Sequence, residues 1–398
     1  MTVQTNKKII VMLKRLFSAI IAVASCISAG AQGTCIINGN ITDGKKIKKV
    51  SLVIADEFGQ EREVAVSKVK KGKYLFTHEI AAGEPVMLYT IKGIGEKGIR
   101  LFVEPGEVDV NTVSAEAPEE STVTGTPTND AYAEYMAIRD AGQKRVETQT
   151  EALAAANGSD WLQSNEGQNA VKSIKAKEAI KTEAEAIRFL INHNSSPMTP
   201  FEIEHTLLPN LSEGYADQMT KAIAVSLGNH PYYLSLRNKV LSNSMKVGNE
   251  VPDITLPLLS GEKKRLSDYR GKYVVLNFWA SGCEKSPAML AIMKELYETI
   301  KSSNGQFVIV SFALDSNAAA WKDAVKSNGT DLEGWIHACD AAGAESPAAK
   351  LYKVESTPKI VLIEPEGRAV SLNLENNEVI MRVKQIMSGD LYYLDQEE

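Results

Sequence analysis

The sequence predicts three parts in series: an all-β sandwich over residues 33–125, a helical connector over 126–246, and an α/β domain with a partly parallel sheet over 247–391. Three observations carry that division. Up to Gly125 the apolar residues come in short runs broken by turn-forming clusters. From about Asn129 to Ser244 these runs give way to Ala-, Glu- and Lys-rich stretches. From about Val247 onward, continuous apolar strands alternate with amphipathic helices.

The chain opens on a segment separate from all three. Lys7, Lys8, Lys14 and Arg15 precede an apolar run at 16–24, which continues through small residues to Ala31. A basic start, a short apolar stretch and a small-residue exit predict a secretory signal peptide over residues 1–31. Met12 would serve as an alternative start, leaving the short basic head MLKR. The AGA before Gln32 suits ordinary cleavage. The rival reading takes VASC as a lipobox, with a lipid anchor on Cys26; Ile27, where lipoproteins more often carry a polar residue, favours simple cleavage. Both readings export the mature chain to the envelope or periplasm of a Gram-negative-type cell. No other apolar stretch approaches the ~20 residues needed to span a bilayer, so the mature chain is expected to lack a transmembrane helix.

Within residues 33–125, seven runs such as TCIINGNI, VSLVIAD and KYLFTHEI are rich in Val, Ile and aromatics, and clusters such as TDGKK and KKGK separate them. Short strands at such spacing predict a sandwich. The segment holds no convergent acids, histidine cluster or phosphate loop. In the connector, Ile174, Ile180, Ile187 and Leu190 recur at helical spacing, and NSSPMTPFE breaks one helix and starts the next. No chemistry is expected of either part.

The last part reads as strand KYVVLNFWA, helix SPAMLAIMKELYETIKSS, strand GQFVIVSFAL, helix AAAWKDAVKSNG, a short edge strand EGWIHACD, a helical turn SPAAKLYKV, strands PKIVLIEP and RAVSLNL, and a closing helix EVIMRVKQIMSG. Apolar strands alternating with helices predict a sheet covered on both faces.

The formal net charge of -6, from 44 basic and 50 acidic residues, offers no concentrated positive face, so no nucleic acid is expected as a partner. His78, His193, His205, His230 and His337 stand singly, without metal-ligand spacing; no metal and no cofactor are expected. With Cys26 removed or lipidated, Cys35, Cys283 and Cys339 remain. That odd number leaves at least one thiol free or paired with another molecule.

Chemistry is expected where the strand VVLNFWA ends in SGCEKS and a helix begins. A cysteine there faces unsatisfied N–H groups and the positive end of the helix dipole, which stabilise its thiolate. Lys285 adds positive charge and Glu284 opposes it. The competing reading is a buried cysteine acting as a small apolar residue.

VVLNFWASGCEKS resembles the active-site segment of the thioredoxin superfamily in its TlpA/ResA envelope branch, where a strand ending in N-F-W-A-S-W precedes C-x-x-C. YKVESTPKIVLIEPEGRAV resembles the segment that carries the family's cis-proline, here Pro358 after Thr357. VGNEVPDITLPLLSGEKKRLSDYRGK resembles its entry segment. The likeness spans about 140 residues, and FVEPGEVDV with VTGTPTNDAYAEY resembles a small sandwich domain of unknown function that recurs ahead of such modules. It implies a thioredoxin-like fold, Cys283 as nucleophile assisted by Ser286, and a substrate-binding groove at Trp279, Thr357 and Pro358.

Departures from the family pattern weigh on mechanism. Ser286 stands in place of the second cysteine, so the thiol that normally resolves the mixed disulfide is absent. Gly282 replaces a tryptophan, Met289 a glutamate and Ala291 a proline; Asn277 lies where thioredoxin proper has a buried acid. Cys339, over fifty residues downstream, is expected to be a packed edge-strand cysteine rather than a partner for Cys283. Cys35 is expected to pack.

Two functions compete. One is a monothiol thiol–disulfide oxidoreductase or isomerase acting on cysteine-containing envelope proteins, with an external resolving thiol; the family role would include apocytochromes c. The other is a peptide-binding or scaffold module that has lost catalysis. A peroxidase needs P-x-x-x-[ST]-x-x-C, and Leu276 and Ala280 occupy the two defining positions.

Overall fold

A computed structural model describes residues 32–43, 46–56 and 59–389; the expected signal peptide and Cys26 lie outside the described residues. The described chain divides into two compact units. The first runs to Leu211 and takes in Gln218–Leu234; the second takes in Ser212–Asp217 and everything from Ser235.

In the first unit, strands β1 (Gly33–Ile41), β2 (Lys49–Ala55), β3 (Glu61–Lys68), β4 (Lys73–Ile80), β5 (Met87–Lys92), β6 (Ile99–Val103), β7 (Gly106–Thr112) and β8 (Thr122–Thr124) form two four-stranded sheets. Their orders are β4-β1-β7-β8 and β3-β2-β5-β6. The eighth strand is too short to show a two-residue period, which is why the sequence yields seven. Alternate residues of β1 and β7 point inward: Cys35, Ile37 and Ile41 pack with Val108 and Val110 in one core that Leu52, Phe76, Ile91 and Leu101 complete. Burial of this kind is the main driving force for the sandwich.

The helices that follow are tied to the sandwich. Helix α1 (Pro127–Asn157) starts on β6. The Asn129 carboxamide accepts from the N–H of Phe102 and donates to its carbonyl, both at 2.8 Å, while the Glu104 carboxylate accepts from the N–H and hydroxyl of Thr128, both at 2.7 Å. These buried bonds satisfy donors that the first helical turn leaves open. Helix α2 (Asn165–Asn192) returns alongside α1, and Arg145 bridges to Glu178 at 2.7 Å and Glu185 at 3.1 Å. Ile187 and Leu190 are buried as their spacing predicts. Ile174 and Ile180 are only half-buried, in the stretch of α2 away from that core. Short helix α3 (Met198–Glu202), helix α4 (Glu213–Leu227) and helix α5 (Pro231–Asn243) complete the helical stretch. Among the described residues no helix is long and apolar enough to cross a membrane.

In the second unit a small hairpin, β9 (Thr255–Pro257) and β10 (Lys263–Arg265), precedes the main sheet. That sheet holds β11 (Tyr273–Trp279), β12 (Phe307–Ala313), β13 (Trp335–Cys339), β14 (Lys359–Ile363) and β15 (Ala369–Ser371) in the order β13-β12-β11-β14-β15. β12 runs parallel to β11 and β13, whereas β14 is antiparallel to β11 and β15 to β14. The sheet is therefore partly parallel, and β13 is one of its two edge strands. Around it stand α6 (Ser286–Ile300), α7 (Ala318–Ser327), α8 (Pro347–Leu351) and α9 (Asn376–Met387).

β11 and β12 are buried along almost their whole length because both faces are covered. Val275, Trp279, Ile309 and Leu362 pack on one face with Met289, Met293 and Leu296 of α6; Leu276, Phe278, Val310 and Val361 pack on the other with Tyr352. The i, i+4, i+7 spacing of the α6 residues is that of a single buried stripe.

Candidate active site

The central strand β11 delivers its C-terminal end to the turn 280–285. The N–H of Leu314 donates to the Trp279 carbonyl at 2.7 Å, extending the β11–β12 pairing one step past the strands. The chain then turns tightly. The N–H of Cys283 donates to the Ala280 carbonyl at 3.2 Å and the N–H of Ser286 to the Cys283 carbonyl at 3.0 Å. Helix α6 begins at Ser286 with Pro287 in its first turn, where a missing N–H costs nothing. Cys283 is thus held just ahead of a helix start, half-buried and without a disulfide.

Across from it lies the segment leading into β14. The Thr357–Pro358 peptide is cis, as the resemblance implies for Pro358. The Cys283 thiol donates to the Thr357 carbonyl at 3.5 Å. Two sites far apart in sequence thereby meet at one sulfur. Next along β14, the Lys359 ammonium donates to the carbonyls of Tyr352 at 2.8 Å and Lys353 at 3.1 Å, fixing the stretch before Pro358.

The surroundings favour the Cys283 thiolate. The Thr357 side chain, the N–H groups of Lys285 and Ser286 and the Ser286 side chain hold the thiol below its ordinary value, against a smaller opposing effect of burial. The hydroxyl of Ser286 has a prior commitment, however. It donates its single proton to the Ala280 carbonyl at 2.6 Å and is only 2% exposed. The largest support for the thiolate comes from the Thr357 side chain and the Lys285 N–H, with Ser286 contributing less. Ser286 thus also locks the turn in which the thiol sits.

Trp279 also differs from expectation. Its side chain is 0% exposed, packed beneath α6, and offers no surface to a substrate. The expected substrate-binding role is corrected for that reason; Thr357 and Pro358 stay beside the sulfur.

Below the turn, Asn277 and Met289 are both fully buried and touch: the Asn277 amide donates to the Met289 sulfur at 3.0 Å, and its oxygen has no partner among the described residues. A carboxamide and a thioether fill this place, and neither titrates in the physiological range. The site thus keeps a thiol but holds no buried acid at this position.

One contact escapes sequence reading. The N–H of Ser281 donates to both carboxylate oxygens of Asp315, at 3.3 and 3.1 Å, and its hydroxyl donates to Oδ1 of the same group. Asp315 is the first charged residue after the apolar run of β12. Its carboxylate clamps the turn two residues before Cys283. The available signal was its place at the carboxyl end of a parallel strand, where α/β sheets gather functional groups.

Cys339 ends β13 in register with Ala313, which faces Trp279. Two strand spacings, about 9–10 Å, therefore separate Cys339 from Trp279, and Cys283 lies further along the chain. Cys339 and Cys283 are both free thiols, with no disulfide between them. Cys339 is 7% exposed, donates to the Asp315 backbone carbonyl at 3.5 Å, and burial pushes its thiol up. Cys35, fully buried in the sandwich, is likewise pushed up by burial. Among the described residues no group of three or more His, Cys, Asp or Glu converges to hold a metal.

Comparison with known proteins places these features. Residues 247–370 match the AhpC/TSA family, and residues 35–132 match a domain of unknown function (DUF4369). The chain is 32% identical over 126 residues to the thiol-disulfide oxidoreductase ResA of Bacillus thuringiensis subsp. konkukian, covering 32% of this chain and 68% of that protein. Against ResA of Bacillus subtilis it is 28% identical over 129 residues, with the same coverage. A solved thiol-disulfide oxidoreductase from Bacteroides fragilis is 30% identical, with a TM-score of 0.33, over 35% of this chain and 99% of that one.

Proposed function

Because this chain belongs to the family of ResA-type thiol-disulfide oxidoreductases, carried on its AhpC/TSA domain, we propose that it exchanges disulfides through the single thiol of Cys283. The observation that carries this reading is the position of Cys283 just ahead of α6 and beside Thr357 and the cis proline, where the Thr357 side chain and the N–H groups of Lys285 and Ser286 favour the thiolate. The thiolate attacks one sulfur of a substrate disulfide and a mixed disulfide forms, while the other substrate sulfur leaves as a thiolate. Ser286 cannot supply a second thiol. Resolution comes from an outside thiol, or from a different cysteine of the substrate, which attacks the substrate sulfur of the mixed disulfide, expels the Cys283 thiolate and leaves a rearranged disulfide. Isomerisation fits that sequence better than net reduction. The substrates are cysteine-containing proteins of the cell envelope, reached through the export signal expected at residues 1–31; apocytochromes c are one such class.

The test measures Cys283 alkylation against pH, with Cys283→Ala as control, and reactivation of a scrambled disulfide protein in glutathione buffer. An apparent pKa well below the ~8.5 of free cysteine, together with Cys283-dependent reactivation, is the expected outcome. A value at or above ~8.5, or no alkylation of the folded protein, sinks the catalytic reading.

A second reading rests on the Asn277–Met289 contact and the committed Ser286 hydroxyl. Both remove redox machinery and leave the Thr357–Pro358 surface, so a peptide-binding module without turnover is what failure of the first test would leave.

A further inference from the structure

The outer face of sheet β4-β1-β7-β8 carries a groove of about 620 Å³, within the size range of small-ligand sites. Its floor is unusual for a sheet. Asn38 and Asn40 of β1 lie beside Asp109 and Asn111 of β7, in register. Burial alternates along both strands. Ile37, Ile41, Val108 and Val110 face the core, so Asn38, Asn40, Asp109 and Asn111 share the opposite face. Asn and Asp are depleted in strands because they pack poorly on a pleated surface. Four of them at four adjoining positions make a floor of hydrogen-bonding groups. None of the four side chains bonds to another described residue.

Their spacing defines a footprint. Residues two apart on a strand lie about 6.8 Å apart and neighbouring strands about 4.8 Å, the area of roughly one sugar ring. Chemistry narrows the ligand further. A carboxamide both donates and accepts, as a pair of neighbouring hydroxyls requires; the Asp109 carboxylate only accepts, so it needs a hydroxyl and repels an anion. At one wall the groove has Lys68, Lys70 and Lys73, whose ammonium groups only donate and form no ion pair among the described residues. A ligand that satisfies both halves carries hydroxyls over the amide floor and negative charge toward the lysines.

We infer that this face of the sandwich binds an acidic oligosaccharide, with Asn38, Asn40, Asp109 and Asn111 reading the hydroxyls and Lys70 and Lys73 holding the acidic groups. An acidic peptide meets the lysines but offers no hydroxyl array to the floor. This assignment goes beyond the proposed thiol chemistry and stands independently of it.

Isothermal titration of the full chain at low salt tests it, with short oligogalacturonate as the probe, a neutral oligosaccharide of equal length and an oligoglutamate peptide as comparators. Saturable binding of oligogalacturonate is expected, about tenfold tighter than either comparator. Combined Asn38→Ala and Asn111→Ala substitution is expected to weaken it about tenfold, the loss of one or two hydrogen bonds. Lys70→Ala with Lys73→Ala should weaken the acidic sugar and leave the neutral one unchanged. All four substituted side chains are exposed, and unchanged thermal unfolding confirms that the sandwich is intact. Asn38→Asp with Asn111→Asp, nearly isosteric, repeats the test of the floor should an alanine pair unfold, since the added carboxylates repel the acidic probe and are expected to weaken it. Absence of oligogalacturonate binding, equal binding of oligoglutamate, or binding indifferent to the floor substitutions would each overturn the assignment.

Discussion

Cys283 and Cys339 stand at the same end of the same sheet, two strands apart, and their thiols are pushed in opposite directions. Cys283 leaves the central strand for a helix start, where N–H groups and Thr357 stabilise negative charge. Cys339 ends the edge strand in a buried pocket, where the loss of water outweighs the hydrogen bonds it makes. The difference shows that reactivity here is a property of what each strand runs into. The residue type, and even the end of the sheet, are shared.

The strongest test of that contrast substitutes each cysteine in turn. Cys283→Ala is expected to abolish mixed-disulfide formation and reduce disulfide reactivation to background, whereas Cys339→Ala leaves both unchanged; trapping with a labelled disulfide substrate distinguishes them. Loss in both variants would mean that Cys339 takes part in exchange and would end the contrast.

Next in size is Ser286→Cys. A second thiol at the start of α6 can attack the mixed disulfide, so net reduction of a test disulfide, driven by a chemical dithiol, should rise about tenfold or more. Equal rates would show that the buried Asn277–Met289 pair, rather than the missing thiol, limits the site.

Asp315→Ala sharpens the comparison from the side of the turn. Removing the acceptor for Ser281 should cost about 1–3 kcal/mol of stability by denaturant unfolding. It should also move the alkylation midpoint of Cys283 upward as the turn loosens. A stability loss without that upward move would make the clamp purely structural.

The smallest effect is in stability against pH. The Cys283 value is lowered in the fold, so its contribution to stability is present above the unfolded thiol pKa and is lost as pH falls through the folded value. The Cys339 value is raised, so its contribution is fully present below the unfolded thiol pKa and is lost as pH rises through the folded value. In thermal unfolding scans from neutral to alkaline pH, Cys339→Ala should therefore flatten the alkaline fall in Tm, and Cys283→Ala should steepen it.

Much of the architecture was legible in the residues. The unbroken apolar runs that became β11 and β12 announce strands covered on both faces, and the Met289, Met293, Leu296 spacing announces the stripe of α6. The meeting of Cys283 with Pro358 was legible only through motif resemblance, since 75 positions separate them in the numbering. Trp279 misled because a strand buried on both faces has no alternation to say which residues end in the core. The Ser281–Asp315 clamp could not be read at all. It exists only because β11 and β12 are neighbours in parallel register, a fact of topology that no local pattern encodes.

Gly282 has a consequence of a different kind. A Cβ built there meets nothing within 4 Å, and its backbone is not in the left-handed region that reserves a position for glycine. The position beside Cys283 therefore accepts a Cβ without straining the backbone. It is a ready attachment point for an observer: a tryptophan introduced there, next in sequence to Cys283, is a fluorescent reporter to try for the arrival of a partner at the thiol.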